Sequence, residues 1–278
     1  MNTEIKDTEI RIVGGEEAQP PKPRWPWFVG GGLLVLAAVL VGWLLLRPKA
    51  PLPQPSAPSE EEVEEVGNLV PDLPPCVVVA DTLVDSVSFR ILTPLNAVAE
   101  LHVGPIDTSD ADILMALQAA DLRRDNGRIV GAFVLQGKPL SWGLSKRGYC
   151  AIIDGHLSIG TADNSPLFEQ ATETGGDFFR QYSAVAEGQP VENSPENQAF
   201  RRALCMLGGR ACVVCSHSRM TMDAFSQSLV ALGVREAIFL VGGSADGWVR
   251  PGEGPLLRLG APPSKHKAYL NYLLFRSL

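Results

Sequence analysis

Residues 28–46 read FVGGGLLVLAAVLVGWLLL and carry no charge. At ~1.5 Å of rise per helical residue the run is roughly 28 Å long, close to the ~30 Å hydrocarbon core of a bilayer. A buried core helix rarely reaches this length between such flanks. Trp25 and Trp27 precede the run and Trp43 lies near its far end, where indole rings favour the membrane–water interface. Lys22 and Arg24 stand on one side and Arg47 and Lys49 on the other; the tail adds Lys6 and Arg11, and the far side turns acidic at Glu60. The excess of basic residues predicts a cytoplasmic N-terminus and an exported C-terminal part. A cleaved signal peptide fits less well, because the run is long, starts late and has no small-x-small site after Leu46. The expected organisation is a single-pass signal-anchored membrane protein. It has a cytoplasmic tail (1–27), a transmembrane helix (28–46), a Pro/Glu-rich linker (47–75) and one domain (76–278) in the periplasm or outside the cell.

The linker contains PKAPLPQPSAPSEEEVEEVG and then PDLPP. Proline favours extended, donor-poor backbone and the glutamates repel one another, so the segment reads as a spacer. Beyond it roughly 200 positions remain, enough to bury a core. The net charge of −7 and the lack of a Lys/Arg cluster outside the membrane flanks argue against nucleic acid as a partner.

The five cysteines are Cys76, Cys150, Cys205, Cys212 and Cys215. An odd count leaves at least one thiol free or paired with another molecule. Cys212-Val-Val-Cys215 has the spacing of a redox or zinc half-site, but ACVVCS reads as a buried strand. Positions three apart on a strand face opposite ways, so the two thiols diverge. No second Cys or His pair completes a zinc site, and the thiols read as apolar filling.

The domain reads as α+β: sheet-rich and mixed, with a few helices. Strands are expected at Val77–Ala80, Ser88–Leu92 and Ala97–Val103. Thr108 or Ser109 followed by acidic residues and an apolar recurrence predicts a helix to about Arg124. Hairpins are expected at Ile129–Leu135 with Lys138–Trp142 and at Tyr149–Ile153 with Leu157–Ile159. Two more are expected at Arg180–Ala186 with Gln189–Val191 and at Leu204–Leu207 with Ala211–Ser216. Pro166–Thr172 reads as a short helix. Thr221 caps a second helix that Gly233 ends, and Val234–Val241 is a strand before Gly242-Gly243. The tail from Ser264 reads as a last helix or strand.

From Arg201 to Arg250 the chain runs RRALC, then ACVVCSHSRMTMDAFSQSLVALGVREAIFLVGGSADGW. With Gly131–Gly143 and Phe178–Asn193 upstream, this order of segments resembles the phosphodiester glycosidase domain family. The likeness covers roughly Glu100 to Arg250 and implies that family's fold and, as an expectation, hydrolysis of a sugar–phosphate diester. Two departures stand out. Val241 occupies the place where the family usually has Asp before its glycines, and Val130-Gly131-Ala132-Phe133 lacks its Asn. Glycoside hydrolysis commonly needs two carboxyl groups, so the fold is better supported than the reaction.

The candidate site follows from the resemblance and from residue chemistry. Arg202 is expected to grip a phosphate through paired donors, with Arg201 facing away. Arg180 and Gln181 are candidates to line the same cleft. Gly242, Gly243 and Ser244 form a loop whose N–H groups suit an anion. Asp246 is a candidate for the missing carboxylate or for holding a divalent cation. His217 is a candidate acid or base, with Ser218 beside it. His102 and His156 show no ligand spacing, and neither a Gly-x-Ser-x-Gly elbow nor a P-loop is present. The rival function is a catalytically inactive carbohydrate- or phosphate-binding domain, or a structural envelope protein on the same fold.

Overall fold

The computed structural model describes residues 68–193, 196–252, 254–262 and 267–277. The expected tail, transmembrane helix and most of the linker lie outside the described residues. Among those described, no helix is long and apolar enough to cross a membrane. Asn68, inside the segment read as linker, is already part of the fold. Its side chain donates to the Pro94 and Ala211 carbonyls and accepts from the Ala211 N–H.

The fold is α+β and mostly sheet. Seven strands form the largest sheet, in the order β1 (Cys76–Val84), β2 (Val87–Leu95), β13 (Arg210–Ser216), β12 (Arg202–Leu207), β14 (Val234–Leu240), β10 (Ser183–Ala186) and β11 (Gln189–Pro190). A second sheet runs β16 (Leu257–Arg258), β15 (Gly247–Val249), β4 (Ile113–Gln118), β17 (Asn271–Ser277) and β3 (Ala97–Val103). The third runs β6 (Lys138–Trp142), β5 (Ala132–Leu135), β9 (Asp177–Gln181), β7 (Gly148–Ile153) and β8 (His156–Thr161). Neighbouring strands are antiparallel in all three. That suits a sequence of hairpins: Gln136-Gly137 and Asp154-Gly155 have positive φ at both turn residues, the geometry of a two-residue hairpin loop.

One core is shared by all three sheets, with Leu92, Leu204 and Ile238 from the first, Met115 and Leu273 from the second, and Phe133 and Phe179 from the third. Side-chain alternation sorts the rest. Val213 and Cys215 face this core, while Cys212 and Val214 face a second cluster beneath α2 (Met222–Ala231). The two cysteines of ACVVCS therefore diverge, as the spacing predicts, and the described cysteines are all unpaired. Burial pushes the Cys215 thiol up to about 11 and the Cys212 thiol up to about 12. The outer face of the third sheet is covered by α1 (Leu167–Thr174), with Phe168 edge-on to Phe178. Helix α2 starts as its sequence predicts, the Thr221 hydroxyl accepting from the Ala224 N–H.

Three expectations are corrected. The helix expected from Thr108 or Ser109 to Arg124 is strand β4. Asp107 accepts from the Ser109 N–H and Asp110 from the Asp112 N–H, so these residues close short side-chain turns rather than a helical first turn. Ile113 to Leu117 are buried without a break. β4 lies between β15 and β17, and a strand covered on both faces reads as a continuous apolar run that matches a helical period equally well. Second, Arg180–Ala186 is two strands in different sheets, β9 and β10, parted at Tyr182, whose carbonyl accepts from the Phe239 N–H. Third, the strand expected from Ile129 begins at Ala132; Ile129 pairs instead with Leu122. The tail resolves as strand β17, between β3 and β4.

Asp177 locks the third sheet to the second. Its carboxylate accepts from the Leu101 N–H of β3 at 2.8 Å and from the Gln136 N–H at 2.7 Å. Burial raises its pKa, and these two bonds pull the other way.

Candidate functional site

Arg202 starts β12 on the core face, opposite Cys215 on one side and Leu240 on the other. It is buried, at 3% exposure. Its guanidinium turns inward: Nη1 donates to the Ala245 carbonyl at 3.1 Å and Nη2 to the Leu259 carbonyl. Burial lowers its pKa, with Asp246 opposing. Arg201 faces away as expected and donates to the Met220 and Asn197 carbonyls.

Asp246 is close to Arg202 in the fold but is itself sealed. Tyr272 donates its hydroxyl to Oδ2 at 2.9 Å, the Gly247 N–H donates to Oδ1 at 3.0 Å, and Arg258 lies 3.7 Å from Oδ1. The carboxylate side chain is 11% exposed. Burial and Asp246 together hold the Tyr272 phenol well above its ordinary pKa, so it remains a donor. Cations and donors, not ligand oxygens, surround Asp246. Among the described residues no three His, Cys, Asp or Glu side chains gather as they do around a metal ion.

The Gly242–Ser244 loop is a tight turn. A Cβ on Gly242 would lie 2.5 Å from the Phe200 carbonyl oxygen. The Gly243 N–H donates to that same carbonyl at 2.8 Å, and the Ala245 N–H donates to the Gly242 carbonyl at 3.2 Å. Of the three loop N–H groups proposed for an anion, that of Gly243 is thus already used within the protein.

His217 and Ser218 lie past the end of β13. The His217 ring nitrogen Nε2 is 3.2 Å from Asp81 Oδ1, and Asp81 is held on its other side by a two-point ion pair with Arg90. The Arg90 guanidinium, with His217 helping, holds the Asp81 carboxyl at about 2. Ser218 is exposed and accepts the Ser216 hydroxyl at its carbonyl. The ligand candidates therefore fall into separate neighbourhoods: Arg202 with Asp246 and the glycine loop, His217 with Asp81, and Arg180 elsewhere. His102 meets the Pro105 carbonyl, and His156 is exposed at a hairpin turn.

The structure adds a polar cluster at the end of β4 that the sequence did not suggest. Lys146 is 3% exposed, and its ammonium donates to Asp121 Oδ2 and to Gln181 Oε1. It also lies 4.8 Å from the centre of the Tyr182 ring. Gln181 in turn donates to Asp121 Oδ2 at 3.2 Å. Burial lowers the Lys146 pKa against the pull of Asp121. Asp121 is anchored through one oxygen only; Oδ1 has no hydrogen-bond partner among the described residues, and the side chain is 41% exposed. Only Gln181 of this group was a sequence candidate. The missing signal is topological: the helix expected over these positions hides that Asp121 lies just past the end of a central strand, on a loop at the rim of the core.

Two clefts share Trp142 in their walls, and this residue is 67% exposed. The larger, about 380 Å³, is lined by Arg123, Asn126, Arg128, Gly131, Ser145 and Trp142 among others. The smaller, about 190 Å³, is lined by Ala132, Trp142, Leu144, Asn164, Phe168, Glu169 and Arg180. Gly131 makes this packing possible: its φ is +87°, and a Cβ there would sit 3.3 Å from that of Arg180. Arg180 points to the α1 side of β9, because Phe178 does so and Phe179 faces the shared core. Gln181 points the other way, so the two neighbours do not share one cleft.

No protein-family model and no curated protein matches the sequence. Solved structures do match by fold. The zebrafish N-acetylglucosamine-1-phosphodiester alpha-N-acetylglucosaminidase catalytic domain, described as auto-inhibited by its pro-peptide, aligns with a TM-score of 0.52 at 14% identity over 75% of this chain and 85% of that one. A hypothetical protein from Synechocystis aligns with a TM-score of 0.52 at 14% identity over 74% of this chain, which spans 64% of its length. At this identity the likeness is one of fold: the described domain is distantly similar in architecture to a phosphodiester glycosidase catalytic domain.

Proposed function

We propose that the domain binds a sugar–phosphate unit of an envelope or extracellular glycan, in the clefts that Trp142 lines. The observation that carries this is the indole itself. A large aromatic residue, two-thirds exposed, lines two clefts that contain arginine, asparagine and serine. Sugar rings stack their C–H faces on such a surface, and arginines suit the phosphate. The similarity to a glycosidase catalytic domain supports the ligand class. In this reading residues 28–46 anchor the protein and the ligand lies outside the cytosol. A periplasmic phosphatase reporter joined after Leu278 is expected to be active; activity only from a cytosolic reporter would refute the topology.

The binding test is calorimetry on the full-length chain in detergent, with N-acetylglucosamine 1-phosphate and neutral N-acetylglucosamine. Trp142→Ala is expected to weaken the sugar phosphate roughly three- to tenfold. It should leave thermal stability nearly unchanged, since an exposed surface substitution typically shifts stability by no more than ~0.5 kcal/mol. No binding of either sugar by the unaltered chain sinks the proposal.

Hydrolysis is the second reading, favoured by one observation. Asp121 presents an unbonded carboxylate oxygen while Lys146 and Gln181 fix the other, an arrangement that suits proton transfer or attack. Release of sugar from a sugar-1-phosphate diester, abolished by Asp121→Asn, would establish it. Binding without turnover leaves the domain a binder.

A further inference from the structure

Arg180 carries a buried guanidinium N–H with no hydrogen-bond partner, and it lies in the wall of the smaller cleft. It is 1% exposed. Its Nη1 donates to two carbonyls, Lys146 at 2.8 Å and Ala162 at 2.9 Å, which fixes the plane of the guanidinium. Its Nε is buried with no hydrogen-bond partner, and no partner of Nη2 is found among the described residues. Nε and Nη2 form the two-donor edge of an arginine, the edge that Arg90 uses to hold both oxygens of Asp81. In Arg180 that edge has no acceptor.

A buried donor left without an acceptor is costly, and for a charged group the cost is higher. Burial accordingly lowers the Arg180 pKa, while Asp163, Tyr149 and Glu169 oppose this through space without hydrogen bonding to it. Asp163 is already engaged by Arg147 at 2.7 Å. Glu169 faces the same cleft but is exposed. The protein thus holds a guanidinium in place by one nitrogen and leaves the complementary edge without an acceptor, in the wall of a cleft that Trp142 and Phe168 also line.

We infer that Arg180 is the oxyanion subsite of the Trp142 cleft. It takes two oxygens of a phosphate or carboxylate group on a sugar whose ring lies against Trp142. The inference rests on the binding function proposed above and adds the group that selects for an anion. It assigns that role to Arg180 rather than to Arg202, whose Nη1 and Nη2 each already donate to a protein carbonyl. Glu169 then acts as a negative neighbour that weakens the anion's hold, a feature a neutral ligand would not register.

The test is calorimetry on the full-length chain with N-acetylglucosamine 1-phosphate, glucuronic acid, neutral N-acetylglucosamine and inorganic phosphate. Arg180→Lys, which keeps the charge but not the two-donor edge, is expected to lose roughly ten- to hundredfold in affinity for the anionic sugar. Glu169→Gln, a surface change that does not threaten folding, is expected to bind it several-fold more tightly. Preference for glucuronic acid identifies a carboxylate as the group held and supports the subsite; preference for the sugar phosphate identifies the phosphate. If the unaltered chain binds the sugar phosphate but neither substitution changes its affinity, the subsite is overturned and the proposed function survives. If it binds no sugar at all, the proposed function fails first. Should Arg180→Lys not fold, the Glu169→Gln result decides alone: equal or weaker anion binding overturns the subsite.

Discussion

Arg202→Ala is expected to cost the domain about 3 kcal/mol of stability. The side chain is a buried cation that joins two segments distant in sequence, the Ala245 turn after β14 and the Leu259 turn after β16. Removing it strips two carbonyls of a charged donor and leaves a void against Gly247, where a Cβ would already lie 3.0 Å from Arg202 Nη1. It also takes a positive charge from the neighbourhood of Asp246, which would keep Tyr272 and Arg258. Leaving a buried acceptor without its donor typically costs about 1–3 kcal/mol, and two carbonyls lose theirs here. For a domain of this size that corresponds to a fall in Tm of roughly 10 °C. Differential scanning calorimetry measures it. A variant with the original Tm and a lost affinity for sugar phosphate would show that Arg202 serves the ligand and not the fold.

Gly242→Ala is expected to be nearly as damaging. The new methyl would be driven against the Phe200 carbonyl oxygen, 2.5 Å from the Cβ position, and 3.6 Å from the Arg201 Cα. Backbone cannot rotate away as a flexible side chain does, so the loop has to retreat and the Gly243 N–H loses its bond to the same carbonyl. Overpacking of this kind costs about 1–3 kcal/mol and here should fall at the upper end. Gly243 is the control. Its φ is +65° but a Cβ there meets nothing within 4 Å, so Gly243→Asn should be tolerated at a small cost. Urea unfolding separates the two. If Gly242→Ala keeps full stability while ligand affinity drops, the loop is an anion cradle and its turn geometry is incidental.

The two substitutions bear on the sequence motifs that pointed most directly to chemistry, and in both the structure supplies a mechanical role. The strand alternation that sets Arg202 apart from Arg201 is legible in the sequence, whereas the close approach at the paired glycines is to the chain's own Phe200 carbonyl. Alternation does not say whether a guanidinium meets a phosphate or a carbonyl of its own chain. Asp121 and Lys146 were invisible for a different reason. They are separated by 25 residues, and the apolar run that precedes Asp121 fits a helical period as well as a buried strand. Trp142 was placed correctly at the end of its hairpin strand, but nothing local distinguishes an exposed indole from one packed into a core. Arg180 follows Phe178 and Phe179 in the chain, and only the structure shows that β9 buries both fully.

The amino-acid order by itself determined the elements whose signals are short-range. These are the hairpins at two-residue turns, the Thr221 helix with its cap, the divergence of Cys212 and Cys215, and the sheet-rich class. Each depends on backbone preferences and side-chain period within about ten residues, which a sequence displays directly. The tertiary structure alone decided that Ile113–Gln118 is a central strand, that Arg180 and Ala186 belong to different sheets, and which charged groups are satisfied. Those outcomes depend on what covers a face or accepts a proton from across the fold, and burial on both sides erases the periodicity that would otherwise have announced them.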